Sequence, residues 1–411
     1  MGERLKLREA RGAKSLREVA DTIGCSGDSL NNWEKGITVP QWHYKQQLRS
    51  YYGKDLADLG LADTSLSRGD EIEMTRKKLE GLNLSRRELI DMISGLSAFT
   101  GINLLILLDP HAVAPEDFLD QCNAGIAACW HLLKHDGLDH ADKILQACMP
   151  KLAELANHES PYQQLAASLA AEAKMQQIIL ATHQLNYRAR EIHSLAAVRF
   201  GRLSGDGDTL ATSLSWLADF YISSWNRYPQ PKKAIDIFGE GLAALKNGAS
   251  LYRTELSLGL AKAYALSGSE AKALDTIQQA RAAMPKHPEL DPHRQICDLD
   301  ISGLSQQEGR IYLVLHGHFP NQGYAELAYN TFNLRGRALS DRVQSQILIH
   351  KADAARAIGD FSHFIECLVP GLYIAFTINS LKRQKEALRI LDNVPDTWKK
   401  EDQYQEVVKM F

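Results

Sequence analysis

This sequence of 411 residues lacks the patterns that mark secreted, fibrous or low-complexity proteins. Its six cysteines are scattered, with no CxxC pair and no regular framework, so we expect free thiols in a reducing compartment. No signal-peptide stretch of about 7–15 apolar residues opens the chain, and we therefore predict a cytoplasmic protein. With 28 glycines and 13 prolines, the composition excludes collagen-like and disordered classes and predicts a globular protein.

The sequence also lacks the short motifs of common enzyme and cofactor sites. His131 and His135 are four residues apart on a predicted helix, but no cysteine or carboxylate completes a metal triad, and HExxH is absent. Gly239 and Gly241 form a Gly-x-Gly pattern without the GK[ST] sequence of a phosphate loop. We therefore predict no metal, no cofactor and no catalytic residue, and an enzyme is the least favoured class of function.

One apolar segment, Leu89 to Leu108, follows the pair Arg86-Arg87 and superficially resembles an export signal. The segment lies far from the start of the chain and is interrupted by polar residues, whereas a spanning helix needs about 20 residues with few polar ones. The polar residues of the segment are Asp91, Ser94, Ser97, Thr100 and Asn103. The pattern favours a buried connecting helix and no membrane contact, with a membrane-associated anchor helix as the alternative.

The charge is distributed unevenly along a chain whose formal net charge is only −3. Residues 1–54 hold ten basic and six acidic residues, so their net charge is +4 and that of the remainder is −7. This asymmetry is typical of a small nucleic-acid-binding head on an acidic body. We predict three regions: a DNA-binding domain over 1–62, a linker with connecting helices over 63–121, and a body over 122–411.

The body is predicted to be all-α, because apolar residues recur at helical spacing and no sustained period-two run occurs. Between Leu258 and Pro285 the sequence is LGLAKAYALSGSEAKALDTIQQARAAMP. The spacing of its small residues, its Gly268 turn and its closing proline resemble the tetratricopeptide repeat, a helical hairpin of about 34 residues.

Weaker copies of this pattern predict about six hairpins in an α-solenoid, in which stacked repeats bury a continuous core. A non-repetitive helical bundle is the alternative. The copies are marked by Cys129, Leu132, Ala141, Leu145 and Cys148 near Pro150; Ala189, His193 and Ala196; Ala234, Phe238 and Gly241; Ala325, Tyr329 and Phe332; Ala352, Ala355, Gly359, Asp360, Phe361, Phe364 and Leu368; and a capping helix with Ala387, Leu391 and Val394.

The N-terminal region predicts two short helices separated by a tight turn. Ser15 and Glu18 form a capping box before Val19, Ala20 and Ile23, and Ser26 caps a second helix whose buried face is Leu30 and Trp33. The stretch ends in Trp33-Glu34-Lys35-Gly36 and Pro40, and it resembles the Xre/Cro/CI-type helix-turn-helix repressor domain over about 55 residues. The resemblance implies a small five-helix, lambda-repressor-like head.

This resemblance implies which residues contact double-stranded DNA. The second helix would enter the major groove, where a carboxamide can read an adenine edge, and basic residues would hold phosphates. Asp28 would repel phosphate unless it accepts from a cytosine amino group. The implied DNA-binding residues are Lys14, Ser15, Arg17, Gly27, Asp28, Ser29, Asn31, Asn32, Lys35 and Lys45.

The first helix of each hairpin is expected to line a concave groove that suits an extended peptide or a partner helix. Amides and arginine can hydrogen-bond a peptide, and tryptophan can supply an apolar anchor. The register of the repeats selects Trp130, Lys134, Gln177, Asn226, Lys262, Asp353 and Arg356 as groove candidates.

A repressor-type head followed by such an array resembles the peptide-responsive quorum-sensing regulators of Gram-positive bacteria. The resemblance implies a homodimer that binds a two-fold operator and is controlled by a short peptide in the groove. An adaptor protein that holds a partner protein in its solenoid and uses a degenerate head for docking is the alternative.

Overall fold

The computed structural model describes residues 5–12, 14–23, 25–35, 40, 42–54, 58–61, 114–134, 137–223, 228–245, 250–291, 293–297, 299–332 and 340–410. Every regular element in these ranges is helical and none is a strand, so the all-α prediction is confirmed. The chain divides into two compact units, unit 1 (Met1–Leu84) and unit 2 (Ser85–Phe411). The apolar segment 89–108 lies outside the described residues. None of the described helices combines the length and the apolar character needed to cross a membrane.

Unit 1 contains four described helices: α1 (Leu5–Arg11), α2 (Leu16–Ile23), α3 (Gly27–Lys35) and α4 (Trp42–Tyr52). The predicted caps are confirmed, because Ser15 Oγ accepts a hydrogen bond from the Glu18 N–H and Ser26 Oγ accepts one from the Ser29 N–H, both at 3.1 Å. These side chains satisfy donors that the first turn of each helix leaves free.

The core of unit 1 is formed where α1, α2, α3 and α4 meet. The five residues predicted from helical spacing are all buried in it, and four leucines complete it: Leu7, Val19, Ala20, Ile23, Leu30, Trp33, Leu48, Leu59 and Leu61. The expected fifth helix is not among the described helices of unit 1, and residues 55–57 and 62–84 of this unit lie outside the described ranges. Residues 58–60 form a turn in which Gly60 has a φ of +67°. Leu59 and Leu61 therefore enter the core from a turn.

The described helices of unit 2 are α5 (Pro115–Lys134), α6 (Leu138–Asn157), α7 (Gln163–His183), α8 (Tyr187–Ser204), α9 (Gly207–Tyr221), α10 (Pro231–Ala244), α11 (Leu251–Leu266), α12 (Glu270–Ala283), α13 (Arg294–Cys297), α14 (Ile301–His318), α15 (Tyr324–Thr331), α16 (Asp341–Ile358), α17 (Phe361–Thr377), α18 (Leu381–Asp392) and α19 (Asp402–Met410). Short turns join most of them, as the Gly, Asp and Asn residues between the helical segments predict. Asp360 is one example, since its carboxylate accepts from the His363 N–H and caps α17.

Six of these helices form a ring. Contacts join α7 to α9, α9 to α11, α11 to α14, α14 to α16 and α16 to α18, and α18 contacts α7 again. We call α7, α9, α11, α14, α16 and α18 the inner helices. Between them, α8, α10, α12, α15 and α17 pack on their chain neighbours. The inner helices therefore surround a common space, which is where the candidate site of unit 2 lies.

Two details of unit 2 differ from the sequence-based expectation. The first described helix begins at Pro115, within the region 63–121 that was predicted to hold a linker and connecting helices, and it continues without a break across the boundary at 122. The second is that α6 continues through Pro150 to Asn157, although a proline in this register was expected to lie near the end of a hairpin. Proline removes one helical hydrogen bond, but Pro150 is exposed, and the burial of Met149 and Leu152 on either side holds the helix together.

Candidate functional site

Nine of the ten residues predicted to contact DNA lie on or beside α2 and α3, and each of the nine is at least partly exposed. Those that are exposed are Lys14, Ser15, Arg17, Asp28 and Lys35, and those that are half-buried are Gly27, Ser29, Asn31 and Asn32. Lys45 lies on α4, and its side chain is outside the described part of the chain. We call the nine described residues the polar face of unit 1. Their position leaves amide and cationic groups available to a ligand.

An ion pair fixes α3 against α1 beneath this face. Arg11 donates from Nε to Glu34 Oε1 at 2.7 Å and from its terminal nitrogen to Oε2 at 3.0 Å. The hydrogen bond with Glu34 raises the pKa of Arg11 despite partial desolvation. The sequence analysis missed this pair, although Glu34 lies four residues after buried Leu30 and so shares its helix face.

Two cations of the polar face differ in how tightly they are held. Lys14 Nζ donates to the Tyr51 hydroxyl at 3.1 Å and lies 4.5 Å from the centre of its ring. Arg17 lies 4.0 Å from Asp21, and both side chains are exposed to solvent. Surface pairs of this kind contribute little, so Arg17 can exchange its partner for a phosphate at small cost.

The inner helices of unit 2 enclose a cavity of about 730 Å³, which we call the central cavity. The inner helices α11, α14, α16 and α18 contribute to its lining, together with residues of the segment between α9 and α10 and the residue that follows α18. The lining residues are Ile222, Ser223, Pro229, Lys262, Leu266, Arg310, Leu313, Val314, Ile349, His350, Asp353, Arg356, Glu386, Arg389, Ile390 and Asn393. A volume of this size is typical of ligand sites in proteins.

A smaller pocket of about 140 Å³ adjoins the central cavity and shares four of its lining residues. We call it the inner pocket. It is lined by Ile179, Thr182, His183, Arg190, Trp216, Asp219, Ser223, Lys262, Arg310, Lys382 and Glu386. Side chains from α7, α8, α9, α11, α14 and α18 therefore meet at one place, and most of them are polar or charged.

Asp219 links two cations of the inner pocket. Its Oδ2 lies 2.8 Å from Arg190 and its Oδ1 lies 3.2 Å from Lys262 Nζ. Desolvation alone raises the pKa of Asp219, but Lys262, Arg190 and Arg310 outweigh it and hold the pKa below its ordinary value. The carboxylate is therefore ionised at neutral pH, and α8, α9 and α11 are joined by charge.

Glu386 has a different partner. It accepts a hydrogen bond from Arg383, which precedes it by one turn of α18, and Arg383 also donates to Gln346 on α16. Desolvation lowers the pKa of the adjacent Lys382 to about 7, with repulsion from Arg383 acting in the same direction. Desolvation also lowers the pKa of His183 far below its ordinary value, so its imidazole is neutral at pH 7.

Three of the seven groove candidates line the central cavity: Lys262, Asp353 and Arg356. Arg356 donates to Asp353 Oδ1 at 2.7 and 2.9 Å. The prediction that Trp130 lines the groove is wrong, because Trp130 is buried on α5, outside the ring, where its Nε1 donates to Glu172 at 2.6 Å.

Of the remaining candidates, Gln177 accepts from Lys174 at 2.7 Å and does not line either pocket. The side chain of Lys134 and the whole of Asn226 lie outside the described residues. The sequence analysis missed Arg190, Arg310 and Lys382. Arg310 and Lys382 each lie beside a buried residue on their helices, whereas Arg190 has none within two positions, and this spacing alone does not distinguish them from other charged residues of the same helices.

Within the ranges that the structure describes, no cluster of three or more His, Cys, Asp or Glu side chains has a geometry that could hold a metal ion. The cysteines in these ranges are free thiols. The two candidate sites are thus the polar face of unit 1 and the two adjoining cavities of unit 2. No protein-family model matches this sequence, and neither does any curated protein.

Proposed function

We propose that this chain is a DNA-binding transcriptional regulator whose C-terminal unit binds a regulatory peptide or partner protein in the central cavity and thereby controls operator binding. The observation that carries the proposal is the combination of an accessible polar face on a short helix pair with a separate ring of helices around a ligand-sized cavity.

The geometry of α2 and α3 supports a helix-turn-helix head of the Xre/Cro/CI type. Three residues separate the two helices, and α3 buries Leu30, Trp33 and Glu34 on one side. Asn31, Asn32 and Lys35 lie outside that buried set, as a recognition helix requires. A carboxamide can pair with an adenine edge through one donor and one acceptor, while lysine contacts phosphate without reading sequence.

The ring of unit 2 supports a tetratricopeptide-like solenoid. In the hairpin of α11 and α12, small residues are buried where the two helices approach, namely Ala261, Ala265, Ala273 and Ala280. Gly268 has a φ of +72° in the turn between them, which a residue with a side chain rarely adopts. Stacked hairpins of this kind line a continuous concave surface with their first helices, and here that surface encloses the central cavity.

Control of DNA binding follows from linkage between the two sites. We propose a homodimer, because a two-fold operator has half-sites about 34 Å apart that two heads contact together. A ligand that favours one arrangement of the inner helices would change how well the heads match this spacing. By reciprocity, DNA must change the affinity for the ligand by the same factor.

The experiment that tests the proposal is selection of binding sequences from random double-stranded DNA by the full-length protein at physiological salt. We expect an enriched motif. Asn32→Ala should then lose preference at one or more positions at a cost of about 1–3 kcal/mol, whereas Lys35→Ala should weaken binding to all sequences and lower the salt slope by about one.

Asp28→Asn is the matched control, because it removes an exposed carboxylate from the first turn of α3 without changing its shape. It should strengthen non-specific binding if Asp28 only repels phosphate. Recovery of random DNA without any motif would contradict DNA recognition and favour the adaptor alternative, in which the head serves for docking.

A further inference from the structure

We propose that the inner pocket is an anion subsite, which binds the carboxylate or phosphate group of the ligand that occupies the central cavity. This inference rests on the proposed function only in assuming that the central cavity binds a ligand. It names the chemistry of that ligand: a largely apolar body with one anionic end.

Cations outnumber carboxylates among the described residues that line the inner pocket. Arg190, Lys262, Arg310 and Lys382 face two acidic residues, Asp219 and Glu386. Both carboxylates already have cationic partners, since Asp219 pairs with Arg190 and Lys262, and Glu386 pairs with Arg383, which lies outside the lining. An excess of positive charge therefore remains at the pocket.

Two of the cations carry this excess. No carboxylate within the described ranges lies at salt-bridge distance from Lys382 or Arg310. Among the described residues, Arg310 donates one hydrogen bond, to Gln307 at 3.1 Å, although a guanidinium has five N–H groups. Desolvation lowers the pKa of both side chains, which shows that burial opposes their charged forms. An anion between them would stabilise both charges.

Two further arginines leave a buried N–H group without an acceptor in the described part of the protein. These are the Nε groups of Arg190 and Arg383, whose side chains are joined by their terminal nitrogens to the ion pairs given above. The two residues are only 3% and 5% exposed. Buried donors without an acceptor are rare in proteins, and of these two arginines Arg190 lines the inner pocket, whereas Arg383 lies outside its lining.

The shapes of the two cavities indicate the rest of the ligand. At about 140 Å³ the inner pocket accommodates a carboxylate or phosphate group but little more. The adjoining central cavity is several times larger, and six aliphatic side chains contribute to its lining beside nine polar or charged residues. The aliphatic residues are Ile222, Leu266, Leu313, Val314, Ile349 and Ile390. Burial of an apolar body in the larger cavity would place its anionic end beside Lys382 and Arg310.

The test uses the full-length protein with two probes. The first is inorganic phosphate, followed by the shift in the unfolding temperature of the protein. The second is a pool of random pentapeptides, offered with free or amidated C-termini and analysed by affinity selection and mass spectrometry. We expect phosphate to stabilise the protein, or peptides with a free carboxylate to be retained at least tenfold better than amidated ones. The first result assigns a phosphate-bearing ligand, and the second assigns a peptide terminus.

The variants are Lys382→Gln and Arg310→Gln, each of which removes one unpaired cation. Each should reduce at least tenfold the preference for peptides with a free C-terminus over amidated ones, and Lys382→Arg should restore that preference. Lys385→Gln is the matched control, since Lys385 lies on the same helix, α18, but is exposed to solvent. Circular dichroism establishes whether each variant is folded. If Lys382→Gln unfolds, Lys382→Met replaces it in the comparison.

The anion subsite is refuted if neither probe binds to the unaltered protein, or if Lys385→Gln changes binding as much as Lys382→Gln. These outcomes are separate from failure of the proposed function, because DNA selection concerns unit 1. An enriched DNA motif with no response to either probe would overturn the subsite alone. Anion binding without any DNA motif would overturn DNA recognition alone.

Discussion

Replacement of Glu34 by glutamine tests how the polar face of unit 1 is held in place. The Glu34 side chain is 4% exposed and that of its partner Arg11 is 16% exposed, so the change leaves a largely buried guanidinium without a counter-ion. Breaking a fully buried pair costs about 3–5 kcal/mol. Arg11 is not fully buried and keeps a hydrogen bond to the Lys14 carbonyl oxygen at 2.7 Å, so we expect about 2–3 kcal/mol, below the range for a fully buried pair.

This loss is large for a unit of this size. A fold of about 60 residues has a free energy of unfolding of roughly 3–9 kcal/mol. Amide hydrogen exchange followed by mass spectrometry reports the change locally, because peptides from α1, α2 and α3 are read separately from those of unit 2. A loss of 2–3 kcal/mol should accelerate exchange through unfolding of this unit about 30- to 150-fold.

Asp21→Asn is the control, since it breaks a pair with Arg17 whose two atoms are 4.0 Å apart and whose side chains are 93% and 74% exposed. Such a pair contributes at most about 1 kcal/mol, so exchange should change less than about fivefold. The double variant Arg11→Met with Glu34→Leu should recover most of the stability, because an apolar pair needs no counter-ion. Equal effects of Glu34→Gln and Asp21→Asn would refute the reasoning.

Other predictions concern unit 2. A Cβ at Gly259 would lie 2.3 Å from the buried ring of Phe238, so Gly259→Ala should destabilise the protein by about 1–2 kcal/mol net of its gain in helix propensity. A Cβ at Gly239 would meet nothing within 4 Å, so Gly239→Ala should stabilise the protein by about 1 kcal/mol. Urea unfolding measures both changes. Desolvation raises the pKa of Glu255 from 4.5 to about 7. The folded state thus holds this proton more tightly than the unfolded state, so the contribution of Glu255 to stability should fall as the pH rises from about 4.5 to about 7 and stay level above it. The difference in free energy of unfolding between the unaltered protein and Glu255→Gln should therefore change in this direction in unfolding curves between about pH 5 and 7.5.

Local sequence patterns predicted much of unit 1. Ser15 and Ser26 cap their helices as expected, because a cap depends only on the residue and the three that follow it. Leu30 and Trp33 are buried as expected, since helical spacing alone determines which residues share a face. The same rule would have placed Glu34 on the buried face, but its partner on α1 depends on how the helices pack.

The sequence was less informative about the cavity of unit 2. Counting positions within a repeat selected Lys262 and Arg356, which line it, but also Trp130, which is buried on α5. A repeat register identifies the residues on one side of a helix. It does not indicate which helices belong to the ring, because that depends on contacts between helices that are far apart in the chain.

The sequence by itself therefore determined the all-α class, the helix caps and the small residues at which paired helices approach, since each of these depends on residues within one or two turns. Only the tertiary structure decided that α18 contacts α7 and closes the ring. That closure brings Lys382 to the same pocket as Arg190 and Arg310. The charge of a pocket depends on which distant side chains meet there, and the packing of the inner helices, not the spacing of any one of them, determines that meeting.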